Sequence, residues 1–309
     1  MACRSREPSR TVAQLAAHRM TPQGLLNLNK PSGITSRAAV DRVRRAAGRV
    51  KAGHAGTLDP LASGVLVVGV GSATRLLEYV QQMPKLYTAT FLLGRSSPTE
   101  DIEGEVTELD HPPVPSRSQL DRAAQTLTGW IQQRPPAYSA LKVQGRRAYE
   151  LARQGQTPQL AARRVLIHEI VVQGYDYPEL RLRIACGSGT YVRSLGRDLA
   201  ASLGTAAVMS SLERTAVGGF RVEEALPLDR LDPASWTAHL LPPLRAVEML
   251  PKLELSDAEI ARIRNGQCVA RTSAAGEVAA VDARGRLVAI LESSGSGILK
   301  PARNLLTEP

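Results

Sequence analysis

The distribution of apolar and polar residues along the chain predicts a mixture of strands and helices. Five short runs rich in β-branched and apolar residues predict strands, at 24–30, 65–71, 85–94, 165–173 and 179–186. Helical spacing of apolar residues predicts one helix that begins at Ile34 and another from about Val192 to Leu203. Because the two kinds of element do not alternate regularly, the pattern favours an α+β fold over a doubly wound parallel sheet.

The helix that begins at Ile34 leads into a loop, GHAGTLDPLASG, that contains an Asp-Pro pair. Either Thr35 or Ser36 can provide the N-cap of this helix. Asp followed by Pro is typical of an N-cap and the first helical residue, so Asp59 and Pro60 predict a further short helix. On local sequence alone, helix capping is therefore the favoured role of Asp59.

Proline density marks a change of organisation near the C-terminus. Five prolines fall within residues 227–251, and the following segment has the capping-box pair Ser256 and Glu259 and a hairpin signal around Asp282 to Gly285. We therefore expect a first domain at 24–247 and a small, mostly β domain at 248–309.

Residues 1–23 form an expected N-terminal extension. They carry four Arg and one Glu but no apolar segment typical of a secretory signal, and a second Met stands at position 20. An overlong start or a disordered extension is the favoured interpretation, and an organelle transit peptide is a less favoured one.

Composition narrows the class of protein. The chain has 309 residues, of which 43% are hydrophobic and 22% charged, and no apolar run approaches the length of a membrane span. Its three cysteines, Cys3, Cys186 and Cys268, are widely separated, and no His lies at ligand spacing from a Cys. We therefore expect reduced thiols, a cytoplasmic location, no metal site and no membrane association.

The basic residues cluster, and the formal net charge is +10. Residues 36–54 hold six Arg or Lys against one acidic residue, and residues 134–164 hold seven against one, whereas 250–309 are nearly balanced. Such clusters suit a polyanion such as RNA, although solvated helix faces explain the charge equally well at this point. The aromatic content of 4% argues against a general single-strand binder.

Five motifs in a fixed order give the chain a resemblance to a known family. They are LNKPSGITS at 28–36, GHAGTLDPLASGVL at 53–66, YSALKVQGRRAYELARQG at 138–155, GTYVRSLGRDLA at 189–200 and SLERTAVG at 211–218. Together they resemble the TruB family of bacterial tRNA pseudouridine synthases. The resemblance is close over about 24–220, with a looser match to a PUA-like tail.

This resemblance implies a fold and an activity. The expected fold is that of the pseudouridine synthases, with a mixed, mainly antiparallel sheet flanked by helices and a PUA-like RNA-binding domain. The expected reaction isomerises uridine 55 in the T loop of tRNA by flipping the base into the site, without a cofactor. The expected partner is the T arm of tRNA, bound by a monomer without a guide RNA.

The resemblance also assigns roles to individual residues. It implies that Asp59 is the catalytic aspartate, that Tyr87 stacks on the flipped base, and that Arg193 pairs with the aspartate. Leu212 corresponds to an apolar residue against the base. His54 corresponds to a histidine that enters the T loop as the target leaves the stack.

Two further matching residues, Lys30 and Tyr191, are expected to bind substrate or to support the site structurally. The chain departs from the family at 97–98, where Ser-Pro replaces a usual Thr-Asp pair, and at Glu213, where a basic residue is common. Two alternatives to the enzyme stay open: a tRNA-binding folding helper and an inactive RNA-binding paralogue. Turnover of uridine separates them.

Overall fold

The computed structural model describes residues 22–306, apart from 140, 144, 157–158, 274–275 and 295–296. The expected extension at 1–23 lies outside the described residues except for its last two positions. No helix of the described part is long and apolar enough to cross a membrane.

Helices and strands are mixed along the chain, which confirms the α+β prediction. The strands are β1 (Gly24–Lys30), β2 (Ala52–His54), β3 (Ser63–Val70), β4 (Lys85–Leu93), β5 (Arg95–Ser96), β6 (Thr107–Glu108), β7 (Gly129–Gln133), β8 (Lys142–Val143), β9 (Arg146–Arg147), β10 (Arg163–Asp176), β11 (Glu179–Cys186), β12 (Ala207–Val217), β13 (Phe220–Arg221), β14 (Leu226–Pro227), β15 (Lys252–Glu254), β16 (Glu277–Val281), β17 (Leu287–Ser293) and β18 (Leu299–Asn304). The α-helices are α1 (Ser36–Ala46), α2 (Leu77–Gln82), α3 (Arg117–Thr126), α4 (Ala148–Arg153), α5 (Val192–Ser202) and α6 (Asp257–Arg264). Short 3-10 helices lie at Gly71–Leu76, Val222–Glu224, Leu228–Arg230, Trp236–His239 and Pro243–Ala246.

A ten-stranded sheet forms the body of the protein. Its strand order is β14-β1-β3-β12-β4-β11-β10-β7, with β2 added to β3 and β13 added to β12. Strand β12 is parallel to β3, and β1 is parallel to β14, whereas the other neighbours are antiparallel. The sheet is therefore mixed and mainly antiparallel, as the family resemblance implies. This order brings β3, β12 and β4 side by side, although β12 lies more than a hundred residues further along the chain.

The burial of each strand follows from what covers the sheet. Helices α1, α3 and α5 pack on one face and share a hydrophobic core with β4. Strands β1 and β3 are covered on both faces, so they are apolar almost throughout. Strand β4 instead alternates buried and half-buried residues, because its second face is only partly covered. This difference explains why VLVVGVG is a continuous apolar run and KLYTATFLL is an alternating one.

Helix α5 lies unusually close to the sheet because of a glycine. A Cβ added at Gly196 would stand 2.0 Å from the ring of Phe91 on β4, so only glycine fits there. The first turn of α5 carries Arg193, and this turn lies next to the loop of Asp59.

The predicted helix after Asp59 is wrong. Residues 55–62 form a loop between β2 and β3 without a helix, although the amide of Ala62 donates to the carbonyl of Asp59 at 3.1 Å, so Asp59 is not the N-cap of a helix. The N-cap of α1 is Thr35, whose hydroxyl accepts a hydrogen bond from the amide of Ala38 at 3.0 Å. The other candidate cap, Ser36, bonds to the loop of Asp59 instead.

The C-terminal part forms a four-stranded sheet in the order β15-β16-β17-β18, with α6 packed on one face. The predicted capping box of Ser256 and Glu259 and the predicted hairpin between β16 and β17 are both confirmed. The opposite face contributes Ala279 and Ile290 to a hydrophobic cluster shared with Leu76 and Val80 of the larger part. The two parts therefore have a common apolar contact.

Candidate active site

A cleft of about 820 Å³ opens where the loop of Asp59, strands β4 and β12, and the start of α5 meet. This volume is typical of small-ligand sites. Its lining residues include Asp59, Tyr87, Tyr191, Arg193, Leu212 and Arg214. Five of the seven site residues expected from the sequence thus line one cleft. The other two, Lys30 and His54, lie outside its lining.

The centre of the cleft is an ion pair. Nη2 of Arg193 lies 3.0 Å from Oδ2 of Asp59, and Nη1 of Arg193 lies 3.5 Å from Oδ2 of Asp101. The same guanidinium donates hydrogen bonds to the carbonyl oxygens of Thr99 at 2.7 Å and Tyr138 at 3.0 Å. Both terminal nitrogens of the guanidinium are therefore engaged, which fixes its orientation.

Burial differs sharply between the partners of this ion pair. The side chains of Arg193 and Asp101 are 5% and 4% exposed, whereas that of Asp59 is 36% exposed. Asp101 is also held by the hydroxyl of Thr99 at 2.5 Å and the amide of Glu103 at 3.1 Å. Asp101 therefore holds Arg193 on its buried side, and the carboxylate of Asp59 is accessible to a ligand in the cleft.

Three residues of the LNKPSGITS segment hold the backbone next to Asp59. The hydroxyl of Ser36 donates to the carbonyl of Leu58 at 2.9 Å and accepts from its amide at 2.8 Å. The amide of Gly33 donates to the carbonyl of Pro60 at 2.8 Å, and the hydroxyl of Ser32 donates to the carbonyl of Leu61. These bonds hold the loop in which the Asp-Pro pair lies.

Lys30 lies beneath the same loop and is fully buried. Its ammonium donates to the carbonyls of Pro31 and Ile34 at 2.9 and 2.8 Å, and more weakly to Pro60 at 3.5 Å. Burial lowers the pKa of Lys30 to about 8, and the nearby charge of Asp59 partly opposes this effect. The expectation that Lys30 gives structural support agrees with these contacts, because they hold the loop from within.

Arg214 is a site residue that the sequence reasoning missed. It is 1% exposed, and it donates to the carbonyls of Val65 at 2.7 Å and Gly56 at 3.1 Å. Its backbone pairs with Gly64 on β3 and Tyr87 on β4, and a Cβ at Gly64 would stand 2.3 Å from its carbonyl oxygen. The signal for this residue was its spacing, since Arg214 lies two positions after Leu212 on the same strand face.

Tyr87 lies beside Arg214 and is 8% exposed. Burial raises the pKa of the Tyr87 phenol, and the charge of Arg214 and its hydrogen bond to the phenol act in the opposite direction. The ring of Tyr87 and the side chain of Leu212 both line the cleft, so they offer an apolar surface next to Asp59.

The start of α5 is held by a buried amide. The side chain of Gln133 accepts from the amide of Tyr191 at 2.8 Å and donates to its carbonyl at 3.0 Å. The guanidinium of Arg163 stacks on the ring of Tyr191 at 4.8 Å from its centroid. Tyr191 therefore fixes the helix start that carries Arg193, while its ring forms part of the cleft wall.

His54 and Glu213 lie apart from the centre. His54 is on β2, and burial, together with the charge of Arg214, lowers the pKa of its ring, which favours the neutral form. Glu213 follows Leu212 on β12, so strand alternation turns it to the opposite face of the sheet. The substitution at Glu213 therefore leaves the cleft itself unchanged.

The chain is similar to known proteins over most of its length. The family described as TruB family pseudouridylate synthase (N terminal domain) matches residues 44–192, and tRNA Pseudouridine synthase II, C terminal, matches 250–305. A tRNA pseudouridine synthase B from Thermobifida fusca is 44% identical over 283 residues, which cover 88% of this chain and 96% of that protein. One from Mycobacteroides abscessus is 40% identical over 290 residues, covering 90% and 97%.

Solved structures share the fold. A protein of an H/ACA RNP bound to a substrate RNA containing 2'-deoxyuridine superimposes with a TM-score of 0.71 at 24% identity, covering 93% of this chain and 86% of that one. A chain of a Cbf5-Nop10-Gar1 complex superimposes with a TM-score of 0.69 at 27% identity, covering 94% and 83%. The family matches, the relatives and the fold together show that this chain belongs to the TruB family of pseudouridylate synthases.

Proposed function

We propose that this protein isomerises uridine 55 in the T loop of tRNA to pseudouridine, with Asp59 as the catalytic carboxylate. The observation that carries the proposal is the pairing of Asp59 with Arg193 in the cleft. A buried guanidinium holds the aspartate by one oxygen, and the carboxylate is still 36% exposed to a ligand. The relatives named tRNA pseudouridine synthase B support the choice of tRNA as substrate.

The reaction needs a carboxylate and no redox step. The bond between N1 and C1′ of uridine breaks, the uracil turns, and a bond forms between C5 and C1′. The C5 hydrogen then leaves as a proton and N1 gains one, so the atoms balance without a co-reactant. Asp59 can serve as a nucleophile towards the sugar or the base, or as a base towards a sugar proton.

The surroundings of Asp59 suit a base that has left the RNA stack. The ring of Tyr87 is the stacking surface for the uracil, and its phenol lies near the reacting carbon. Leu212 covers the other side of the base and excludes water. The detached uracil is therefore held between an aromatic and an apolar surface while it turns, and it does not diffuse into water.

Access to uridine 55 requires the T loop to open. In our proposal, His54 fills the space that the flipped base leaves in the loop. A neutral ring is suited to this task because it can stack in place of a base, and burial lowers the pKa of His54.

The basic segments at 36–54 and 134–164 bind the phosphates of the T arm. In this proposal, residues 24–247 form the catalytic domain, and residues 248–309 form a PUA-like domain that contacts tRNA away from the target base. The protein acts as a monomer on tRNA alone. The identity of 44% to a tRNA enzyme, against 24% and 27% to the chains of the H/ACA and Cbf5 complexes, favours recognition without a guide RNA.

Mapping pseudouridine in an unmodified tRNA transcript after treatment with the purified protein tests the proposal. We expect one pseudouridine, at position 55, and none in a transcript that carries cytidine there. Tight binding without any pseudouridine would favour a folding helper or an inactive paralogue. Modification at another position would refute the assignment of uridine 55.

A further inference from the structure

The wall of the cleft contains a buried lysine that has no role in the proposed reaction. Lys85 is 7% exposed and lines the cleft two residues before Tyr87, on the same face of β4. Its backbone pairs with Cys186 on β11 and Val217 on β12, so it stands in the middle of the sheet. Lysine is rarely buried to this degree without a partner of opposite charge.

No carboxylate pairs with Lys85 in the part of the chain that the structure describes. Its ammonium, which has three N–H donors, donates to the carbonyl of Gln81 at the end of α2. The groups whose charges act on the pKa of Lys85 are the guanidinium of Arg214, which lowers it, and the thiol of Cys186. Burial raises the pKa of that thiol to about 11, so Cys186 is neutral at pH 7 and supplies no counter-charge.

A comparison with Lys30 shows what is missing at Lys85. Lys30 is also buried, but it has three carbonyl acceptors and the carboxylate of Asp59 nearby. Lys85 has one carbonyl acceptor and two positive or neutral neighbours. Burial lowers the pKa of both lysines to about 8, so each still carries a proton at pH 7. The charge of Lys85 therefore lacks the compensation that Lys30 receives.

Two other cations of the cleft, Arg193 and Arg214, are already engaged by several protein groups. Arg193 has two carboxylates, and Arg214 is held by two carbonyls and a phenol. Arg163 stacks on Tyr191 and donates to the carbonyl of Gly189, but its Nε is buried without a hydrogen-bond partner among the described residues. Lys85 and Arg163 both line the cleft, together with residues 187–190 of the loop that follows β11.

We propose that Lys85 binds a phosphate group of the nucleotide that enters the cleft. The inference rests on the proposed function, because a uridine whose sugar reaches Asp59 carries a phosphodiester on each side of that sugar. The phosphate supplies the anion that the protein does not, through charge-assisted N–H to oxygen bonds in a site shielded from water. Lys85 is thus a substrate-binding residue that holds the backbone while the base turns.

A purely structural role makes a different prediction. A cation near the end of a helix stabilises its last carbonyls, and the contact of Lys85 with Gln81 fits such a cap. In that case, substitution would lower the melting temperature but would leave the salt dependence of RNA binding unchanged. The two roles are therefore separated by measuring binding and stability on the same variants.

The test measures the affinity of the full-length protein for a T-arm stem-loop at several salt concentrations. We expect Lys85→Gln to weaken binding roughly tenfold, and to reduce the slope of log affinity against log salt by about one phosphate contact. Lys85→Arg should restore most of the affinity. The matched control is Arg122→Gln, which removes an exposed positive charge from α3, outside both basic segments and outside 248–309, and should leave the slope unchanged.

A chemical change in the RNA supplies an independent arm that needs no variant. Replacing a phosphodiester next to the target uridine by a neutral methylphosphonate should weaken binding to the unaltered protein, and it should have little further effect on Lys85→Gln. The same replacement at the far end of the stem should affect both proteins alike. Equal losses at both places, or a wild-type salt slope in Lys85→Gln, would overturn the phosphate contact.

The two proposals can fail separately. If the unaltered protein forms no pseudouridine in the unmodified stem-loop, the proposed function fails, whatever the binding data show. If it forms pseudouridine normally but the neutral linkages next to the target cost no affinity, only the role of Lys85 fails.

Discussion

Nη2 of Arg193 and Oδ2 of Asp59 are 3.0 Å apart, although 134 positions separate the two residues in the sequence. The arginine is buried and has a second carboxylate partner in Asp101, whereas the aspartate has Arg193 as its ion-pair partner among the described residues. Removing the charge of Asp59 therefore leaves the guanidinium paired, which makes the aspartate replaceable without leaving an unpaired buried cation.

Asp59→Asn should consequently fold and fail to react. Arg193 keeps Asp101 and two carbonyl acceptors, so we expect a loss in unfolding free energy of about 1 kcal/mol or less. Loss of the carboxylate should lower the single-turnover rate on a T-arm stem-loop by roughly a thousandfold or more. The matched control is Asp41→Asn, the same change at an exposed residue of α1 that pairs with Arg37. A normal rate in Asp59→Asn would contradict the catalytic role.

Tyr87→Phe separates the ring of Tyr87 from its hydroxyl. The ring that stacks on the base is retained, so RNA affinity should change less than about threefold, while the hydrogen bond with Arg214 is lost at a cost of about 1 to 2 kcal/mol of stability. If the phenol transfers the C5 proton, the single-turnover rate should fall roughly a hundredfold. Tyr87→Leu should weaken binding in addition, because it removes the stacking surface. A Phe variant as fast as the parent would limit Tyr87 to stacking.

Lys30 predicts a specific pH dependence of stability. Burial lowers its pKa from 10.5 to about 8, so between these values the folded protein binds fewer protons at Lys30 than the unfolded chain does. The contribution of Lys30 to the free energy of unfolding therefore rises as the pH increases from about 8 to 10.5. Over this pH range, the free energy of unfolding of the parent should rise by up to roughly 3 kcal/mol relative to that of Lys30→Met.

Urea unfolding of both proteins at several pH values measures this gain. Contributions from Lys85 and Cys186, which titrate in the same range, cancel because both proteins contain them. The control Lys51→Met removes an exposed lysine and should follow the parent. A constant difference between the parent and Lys30→Met from pH 8 upwards would show that Lys30 is not buried as a charged group.

The shared apolar cluster predicts that the C-terminal part stabilises the larger part. Ile290 and Leu291 are neighbours on β17 and both are fully buried, but Ile290 faces the cluster with Leu76 and Val80, whereas Leu291 faces α6. Each change to Ala should lower the free energy of unfolding of the C-terminal part by about 2 to 4 kcal/mol. Ile290→Ala alone should speed amide hydrogen exchange in residues 76–80.

Equal exchange rates in residues 76–80 for Ile290→Ala and Leu291→Ala would show instead that the two parts fold independently. The same cluster bears on truncation near Leu250. A deletion there would expose Leu76 and Val80, so we expect a lower melting temperature in the truncated protein.

The sequence by itself determined several of the strands and helices, although not the central strand β12 or helix α3. The strands at 85–94 and 179–186 and the helix from Val192 followed from period-2 and period-3.6 patterns, because one face of each of these elements is more buried than the other, whereas the strand at 24–30 is buried on both faces. The motif resemblance assigned Asp59, Tyr87, Arg193 and Leu212, and the structure brings all four to one cleft.

Only the tertiary structure decided what the Asp-Pro pair does. Local sequence predicts a helix cap at Asp59, but no helix forms there, and Ser36 and Gly33 bond the loop backbone from more than twenty residues away. Arg214 and Lys85 were likewise missed, because a charged residue in a strand pattern is expected at the surface. The strand order β3-β12-β4 buries them, and it is set by packing between segments that are distant in sequence, which no local pattern encodes.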